Sequence, residues 1–225
     1  MNIEPIAYIR TVFAEKFGIP RQSNIVDGVV STIVFEPRYR NVEALRGIDE
    51  FDYLWLIWHF SANERETFSP TVRPPRLGGN QRMGVFATRS PFRPNALGLS
   101  SVRLLGVDRE NEEGPLLYVA GADLMDGTPI MDIKPYLPYT DAHPDARSGF
   151  APAPASHLLE VHCPPHLLEL IDEPLRQPML DILAHDPRPS YHNSDSREYG
   201  MTFDKKNIRF KVLKNRILEI ISINI

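Results

Sequence analysis

Twenty-one prolines are spread through the 225 residues, and they constrain the fold more than any other feature of the sequence. A proline inside a helix removes a hydrogen bond and clashes with the preceding turn, so long helices must be scarce. Short apolar or alternating runs recur between the prolines, and Pro, Gly, Asn or Asp bounds each of them. This spacing predicts an antiparallel barrel or sandwich. The runs are residues 6–13, 28–35, 53–60, 83–87, 97–107, 116–124 and 157–163.

The composition changes after about residue 140. Residues 141–156 are rich in Ala, Pro, Ser and Asp, which is typical of a linker or a long loop. Beyond them, residues 166–171 and 175–185 have helical spacing, and residues 208–213 and 217–223 predict a hairpin. We therefore expect a mainly β N-terminal domain over residues 1–142, a linker over 143–155 and a small α+β domain over 156–225. One further short helix is predicted at residues 42–45, before Gly47.

Composition also limits the class of protein. The chain is 42% hydrophobic and 24% charged, as in ordinary globular proteins, and its single cysteine, Cys163, excludes an internal disulfide. The longest apolar stretch, residues 53–60, is far shorter than the roughly 20 residues that cross a bilayer. The first ten residues do not resemble a secretory signal. We expect a cytoplasmic protein with no membrane partner.

The cations are segregated although the net charge is −4. Residues 73–103, here called the arginine-rich segment, contain six arginines, and residues 205–216, here called the basic tail, contain six further cations. Neither segment contains an Asp or Glu. Such segregation is typical of a protein that presents one face to a polyanion. The alternative is two solvated strands or loops that are basic without binding anything.

Several standard sites are missing from the sequence. It has no dinucleotide-binding glycine motif, P-loop, nucleophile elbow or H-E-x-x-H zinc motif. His162, Cys163 and His166 are ligand types that lie close together, but a zinc site needs a fourth ligand and no second pair is evident. We therefore expect no metal, and interpret Cys163 as a buried thiol between solvated histidines.

Two stretches are unusual enough to be candidate sites. Residues 73–99 combine Arg with Pro, Gly and Asn, so irregular loops could offer backbone donors and guanidinium forks to a carboxylate or phosphate. Residues 123–139 contain a tight turn at Asp126 and Gly127, followed by Asp132 and Lys134. A hairpin turn is the common structural use of Asp-Gly, and it remains an alternative here.

These stretches resemble a known family. PRQ at residues 20–22, PTVRPPRLGGN at 70–80, GVFATRSPFRPN at 84–95 and DGTPIMDIKPYLPY at 126–139 are similar to the TsaA-like, or TrmO, family. HDPRPSY at 185–191 resembles the C-terminal signature of that family. Its members are S-adenosylmethionine-dependent methyltransferases that act on tRNA. The resemblance covers residues 1–142 closely and continues in the C-terminal part.

The resemblance implies a single β-barrel that binds S-adenosylmethionine, a small C-terminal domain and a homodimer. It also implies methylation of N(6)-threonylcarbamoyladenosine next to the anticodon of a threonine tRNA. The cofactor contacts carried over from matching motifs are Pro20, Arg21, Gln22, Ser61, Ala62, Arg89, Leu99, Asp126, Gly127, Thr128 and Pro129.

The chain departs from the family pattern at two places. Phe60, Ser61 and Ala62 stand where an aromatic residue, His and Gln are usual, which removes polar side chains from that contact. Residues 95–98 read Asn-Ala-Leu-Gly where Asn-Pro-Ile-Gly is common. Neither change removes a charge, so we expect cofactor binding to be retained.

The chemistry of the acceptor suggests further residues. Its nitrogen is a poor nucleophile until its proton is lost, so Asp132 is a candidate base and Lys134 a candidate for neutralising charge. A salt bridge between the two at a strand end is the structural alternative. The cations expected to meet the anticodon arm of tRNA are Arg76, Arg93, Lys205, Lys206 and Lys211.

Two other functions fit the same sequence. The chain could be a non-catalytic RNA- or ligand-binding barrel that is regulated by S-adenosylmethionine, or it could methylate a protein or small molecule. Product formation with modified tRNA separates the first from an enzyme, and methyl transfer into tRNA rather than protein separates the second.

Overall fold

The computed structural model describes residues 2–63, 67–151, 158–189, 194–214 and 216–224. Its larger unit is a closed antiparallel barrel of six strands in the order β1-β2-β7-β6-β3-β8. The barrel strands are β1 (Ala7–Arg10), β2 (Val30–Phe35), β3 (Tyr53–His59), β6 (Leu97–Asp108), β7 (Leu116–Ala120) and β8 (Pro129–Pro135). The mainly β prediction is therefore confirmed, and closure decides between barrel and sandwich.

Alternation of side chains fills the barrel. Leu54, Leu56 and Trp58 of β3 are buried, while Tyr53, Trp55 and Ile57 between them are more exposed. Val102 of β6 and Ile130 of β8 also face the interior core. Since successive strand residues point to opposite faces, the same registers that fill the interior also fix which side chains lie outside.

Short 3-10 helices and a small sheet connect the barrel strands. The predicted short helix is present as a 3-10 helix, Val42–Leu45. The small sheet pairs β4 (Thr71–Val72) with β5 (Met83–Gly84). The predicted strand at residues 83–87 is wrong beyond Gly84, because Val85–Ala87 form a 3-10 helix. Val85 anchors that turn in the core, and the Thr88 hydroxyl donates to the Val85 carbonyl.

The C-terminal unit is a four-stranded sheet with helices beside it. The sheet order is β10-β11-β12-β9, formed by β9 (Glu160–His162), β10 (Glu198–Phe203), β11 (Lys206–Leu213) and β12 (Ile217–Asn224). The helices are α1 (Pro138–Asp141), which precedes this unit, α2 (Pro165–Leu168) and α3 (Glu173–Ala184). β11 and β12 are antiparallel, which confirms the predicted hairpin. None of the helices in the described ranges has the length and apolar character needed to cross a membrane.

The connection between β1 and β2 belongs to the core of the C-terminal unit. Phe13, Val26 and Val29 are buried in the same cluster as residues of α3 and of the four-stranded sheet. The Asp204 N–H donates to the Val12 carbonyl at 3.1 Å, and a Cβ on Gly18 would meet the Met201 sulfur at 2.3 Å. Residues near the beginning of the chain therefore complete the hydrophobic core of the C-terminal unit.

Candidate functional site

The turn at Asp126 and Gly127 is closed by a hydrogen bond from the Thr128 N–H to the Met125 carbonyl. Gly127 has a φ of 73°, a conformation that glycine adopts without strain. The turn is not a hairpin, because the strands on either side of it, β7 and β8, are not neighbours in the barrel. The structural alternative for Asp-Gly therefore does not apply.

This turn presents acceptors rather than donors. The N–H groups of Asp126 and Gly127 donate to the carbonyls of Phe13 and Ile9, both at 2.8 Å. Asp126 Oδ1 accepts a hydrogen bond from the Thr11 N–H at 2.9 Å. With its N–H groups used inside the fold, the turn can offer carbonyl and carboxylate oxygens to hydroxyl or amino groups of a ligand.

Asn24 ties the segment of residues 20–24 to β6 and to the connection that leads into this turn. The Asn24 side chain donates to the carbonyl and the hydroxyl of Ser101 on β6, at 3.0 and 2.9 Å, and its N–H donates to the Gly121 carbonyl. Gln22 Oε1 accepts a hydrogen bond from Arg89 Nη1. Two cofactor contacts that the resemblance implies, from separate motifs, are thus hydrogen-bonded to each other.

The first arginine of this segment has a different set of partners. Arg21 Nη2 donates to the carbonyls of Asp186 and Arg188, at 3.1 and 2.8 Å. Arg188 is buried and holds Asp186 through two further hydrogen bonds. The C-terminal HDPRPSY motif therefore anchors the segment that contains Pro20 and Gln22, although Ser190 and Tyr191 of that motif lie outside the described residues.

Ser61 and Ala62 are brought to the same region. They begin a 3-10 helix that follows β3, and both are exposed. Lys16 Nζ donates to the Ala62 carbonyl at 2.8 Å, which ties this helix to the connection that contains Pro20. Pro20 itself is half-buried.

Leu99, Asp132 and Lys134 share the outer face of the barrel. Ile57 of β3 pairs with Leu99 of β6 and with Asp132 of β8. The side chains of Leu99, Ile57 and Asp132 therefore form one outward row across these strands. Leu99 is 54% exposed. Lys134 Nζ lies 3.0 Å from Asp132 Oδ2, and both side chains are open to solvent. The pair lies within β8 rather than at its end, on the same face as the predicted cofactor contact.

One half-buried carboxylate was missed by the sequence analysis. Asp123 lies just beyond β7, and its Oδ1 accepts a hydrogen bond of 2.6 Å from the Ser100 hydroxyl. Ser100 in turn accepts a hydrogen bond from the Trp58 indole at 3.0 Å. Burial raises the pKa of Asp123, and the Ser100 hydrogen bond and the charge of Arg89 partly oppose that rise. The sequence signal that could have identified Asp123 was its position three residues before the Asp126 turn.

A cleft of about 310 Å³ opens beside the turn. It lies between β1, β2 and the turn, and Arg10, Arg40 and Glu36 line it together with Asp126 and Gly127. No other predicted cofactor residue lines this cleft. Gln22, Arg89 and Leu99 lie outside it, so the cleft is one flank of the candidate site rather than the whole of it.

The predicted tRNA contacts have unequal environments. Arg93 donates to the carbonyls of Val85 and Thr88, and its guanidinium lies 6.0 Å from the exposed Phe86 ring. Lys205 is exposed at the turn between β10 and β11.

The other predicted lysine contacts are paired. Lys206 is largely covered and lies near Asp204 and Asp172, while Lys211 pairs with Glu219 at 2.9 Å. The side chain of Arg76 lies outside the described residues. Lys206 and Lys211 are therefore less available to phosphate than their sequence context indicates.

Comparison with known proteins identifies the family. The family model for the tRNA-methyltransferase O N-terminal domain matches residues 8–142, and the model for the TrmO C-terminal domain matches residues 156–224. The tRNA (adenine(37)-N6)-methyltransferase of Escherichia coli K12 is 39% identical over 219 residues, 94% of this chain and 93% of that protein. A Pseudomonas aeruginosa protein named "Putative S-adenosylmethionine-dependent methyltransferase RcsF" is 42% identical over 207 residues, 89% of this chain and 87% of that protein.

A solved structure agrees with the sequence matches. The crystal structure of TrmO from Pseudomonas aeruginosa has a TM-score of 0.78 and 33% identity, and the match covers 99% of this chain and 98% of that one. The similarity therefore extends through both the barrel and the C-terminal sheet. With both domain models matched and the fold shared over nearly its whole length, this chain belongs to the TrmO family.

Proposed function

We propose that this chain is a tRNA methyltransferase that takes its methyl group from S-adenosylmethionine. The observation that carries the proposal is the convergence of separate sequence motifs at one end of the barrel. Gln22 bonds to Arg89, Lys16 bonds to Ala62, and Asn24 bonds to β6 two residues beyond Leu99. Segments up to 77 residues apart in the chain, as in the contact of Asn24 with Ser101, are thus joined by direct hydrogen bonds.

The residues at this end fit the chemical groups of S-adenosylmethionine. Arg89 offers a fork for the carboxylate, the oxygens at Asp126 and Gly127 suit ribose hydroxyls or the adenine amino group, and exposed Leu99 suits an apolar ring face. Pro20, Arg21, Ser61, Ala62, Thr128 and Pro129 complete the proposed contact set. When bound, the cofactor supplies an already activated methyl group, so the residues of the chain have to align the acceptor and exclude water.

We further propose that the acceptor is N6 of threonylcarbamoyladenosine, next to the anticodon of a threonine tRNA. The N6 lone pair is delocalised into the purine and the carbamoyl group, so removal of the N6 proton makes it a better nucleophile. Asp132 is the proposed proton acceptor. Lys134, whose Nζ lies 3.0 Å from Asp132 Oδ2, is the proposed partner of the threonyl carboxylate of the substrate.

The proposed tRNA surface consists of the arginine-rich segment and the basic tail, which would face the anticodon arm. Phosphate contacts provide most sequence-independent affinity for nucleic acid. The proposed phosphate contacts are Arg76, Arg93, Lys205, Lys206 and Lys211. The proposal includes a homodimer in the cytoplasm. It also places the connection between the two units at residues 143–155.

A methyl-transfer assay tests the proposal. The protein is incubated with methyl-labelled S-adenosylmethionine and with tRNA that carries threonylcarbamoyladenosine, and the nucleosides are analysed by mass spectrometry. A mass increase of one methyl group on that nucleoside supports the proposal. Cofactor binding without transfer would favour a regulatory barrel, and label in a protein extract but not in tRNA would favour another acceptor.

A further inference from the structure

The carboxylate of Asp123 is half-buried, in a place where loss of contact with water is costly. Removal of a carboxylate from water disfavours its charged form, and this is the largest influence on the raised pKa of Asp123. The surrounding hydrogen bonds and the charge of Arg89 offset that cost only in part. Buried charges with a specific charged partner beside a cleft are concentrated at functional sites.

The partners of Asp123 come from three separate parts of the chain. The Ser100 hydroxyl of β6 donates to Oδ1 at 2.6 Å, and Trp58 of β3 fixes that serine from its other side. The backbone at Ser23 and the guanidinium of Arg89 both favour the charged form of the carboxylate. Asn24 is hydrogen-bonded to Ser101 and to the Gly121 carbonyl, so Asp123 lies where the barrel wall meets the segment that contains Gln22.

The same carboxylate lies just before the Asp126 turn, in the connection from β7 to β8. A shift of Asp123 would therefore move this connection and weaken its electrostatic attraction to Arg89. Because its Oδ1 accepts a hydrogen bond inside the protein, Asp123 is suited to orienting these residues and not to touching the ligand.

We propose that Asp123 is a positioning residue of the cofactor site, whose carboxylate holds residues 20–23 and Arg89 in the arrangement that receives S-adenosylmethionine. The inference rests on the proposed function, since it concerns that same cofactor. It assigns to Ser100 and Trp58 the role of fixing the carboxylate inside the end of the barrel.

The test is a double-mutant cycle on cofactor affinity, measured by calorimetry with the full chain and S-adenosylmethionine. Asp123→Asn removes the charge with almost no change of shape and should weaken binding about tenfold. In a chain that already carries Arg89→Ala, the same change should weaken binding less than about twofold, because the residue that it orients is gone. At saturating cofactor, kcat should stay within about twofold while KM for the cofactor rises.

Asp108 is the matched control, because it lies on β6, the strand that contains Ser100. Asp108 accepts hydrogen bonds from the Glu110 N–H and the Asn111 side chain, and it lies eight residues along β6 from Ser100, roughly 26 Å away. Asp108→Asn should leave the affinity for S-adenosylmethionine unchanged. Ser100→Ala provides a second perturbation of the carboxylate if Asp123→Asn does not fold, and it should weaken binding three- to tenfold with the same dependence on Arg89.

The outcomes separate this inference from the proposed function. If the parent protein binds S-adenosylmethionine but the effects of the Asp123 and Arg89 changes multiply independently, the positioning role through Arg89 is overturned. An unchanged affinity in both Asp123→Asn and Ser100→Ala would overturn it as well. A parent protein that binds no S-adenosylmethionine would instead refute the proposed function, and this inference with it.

Discussion

Replacement of Arg89 is the sharpest test of the cofactor site, because its side chain is exposed and already oriented. Arg89 Nη1 donates to Gln22 Oε1, so the guanidinium is held while its remaining N–H groups can meet a ligand carboxylate. A hydrogen bond between charged groups contributes about 1.5–3 kcal/mol. Arg89→Ala should therefore weaken S-adenosylmethionine binding by about tenfold to 150-fold, since about 1.4 kcal/mol corresponds to a factor of ten.

Two related variants divide this effect into its parts. Arg89→Lys keeps the charge but loses the planar fork, so we expect a loss between those of the parent and Arg89→Ala. Gln22→Ala removes the group that orients the guanidinium and should weaken binding about twofold to tenfold, as for a single hydrogen bond of about 0.5–1.5 kcal/mol.

The assay is titration calorimetry with S-adenosylmethionine, and the control is another arginine of the same segment. Arg82 Nη1 lies 3.5 Å from the hydroxyl of Thr71 on β4, which is a long hydrogen bond. Neither Arg82 nor Thr71 is a predicted cofactor contact. Arg82→Ala should bind the cofactor like the parent. If Arg89→Ala binds as tightly as Arg82→Ala, Arg89 does not hold the cofactor and the argument from its orientation fails.

Three further predictions concern the basic tail, the assembly and acid stability. Replacing Lys205, Lys214 and Arg216 with Ala should reduce the salt slope of tRNA binding by about 0.7–0.9 for each phosphate that is no longer neutralised. Replacing Lys206 and Lys211, which are ion-paired within the protein, should reduce the slope less. Equal slopes for these two variants would contradict the prediction. Light scattering at micromolar concentration should show a dimer, and a species of only 25.6 kDa would count against it. The Leu137 N–H and the Trp55 indole lower the pKa of Asp141. Their contribution to the free energy of unfolding is present above the unfolded pKa of about 3.9 and is lost as pH falls through the folded value. In urea unfolding, Asp141→Ala should therefore be less stable than the parent at pH 7, and the difference should shrink as pH falls below the unfolded pKa.

The barrel strands were predictable where apolar runs are bounded by turn residues. β3 is apolar from Tyr53 to Trp58 and β6 is rich in Leu and Val, and both were predicted within a residue of their observed ends. β8 was not predicted as a strand, because prolines occur at both of its ends and Asp132 and Lys134 interrupt its apolar pattern. In the structure those two side chains occupy outward positions, where charge is compatible with a strand.

The sequence was sufficient to identify the motifs of the candidate site but not the contacts between them. Gln22, Arg89 and Asp126 were identified as separate segments, but their contacts depend on how the barrel closes. Lys206 has a local acidic partner in Asp204, but its second partner, Asp172, precedes α3, and the partner of Lys211, Glu219, lies on β12. Burial of Asp123 depends on Ser100 and Trp58, which belong to other strands.

The shared core has a consequence for the order in which the protein can fold during synthesis. Phe13, Val26 and Val29 leave the ribosome early, yet the side chains that cover them include Phe210, Leu218 and Ile220. For most of translation these early apolar groups lack most of their native partners, and the barrel, whose interior is a separate cluster, can close while they are still exposed. The packing of the connection that contains Pro20 and Gln22 is therefore completed only when the final hairpin has been made. A nascent chain that lacks this hairpin would expose the same apolar groups to chaperones.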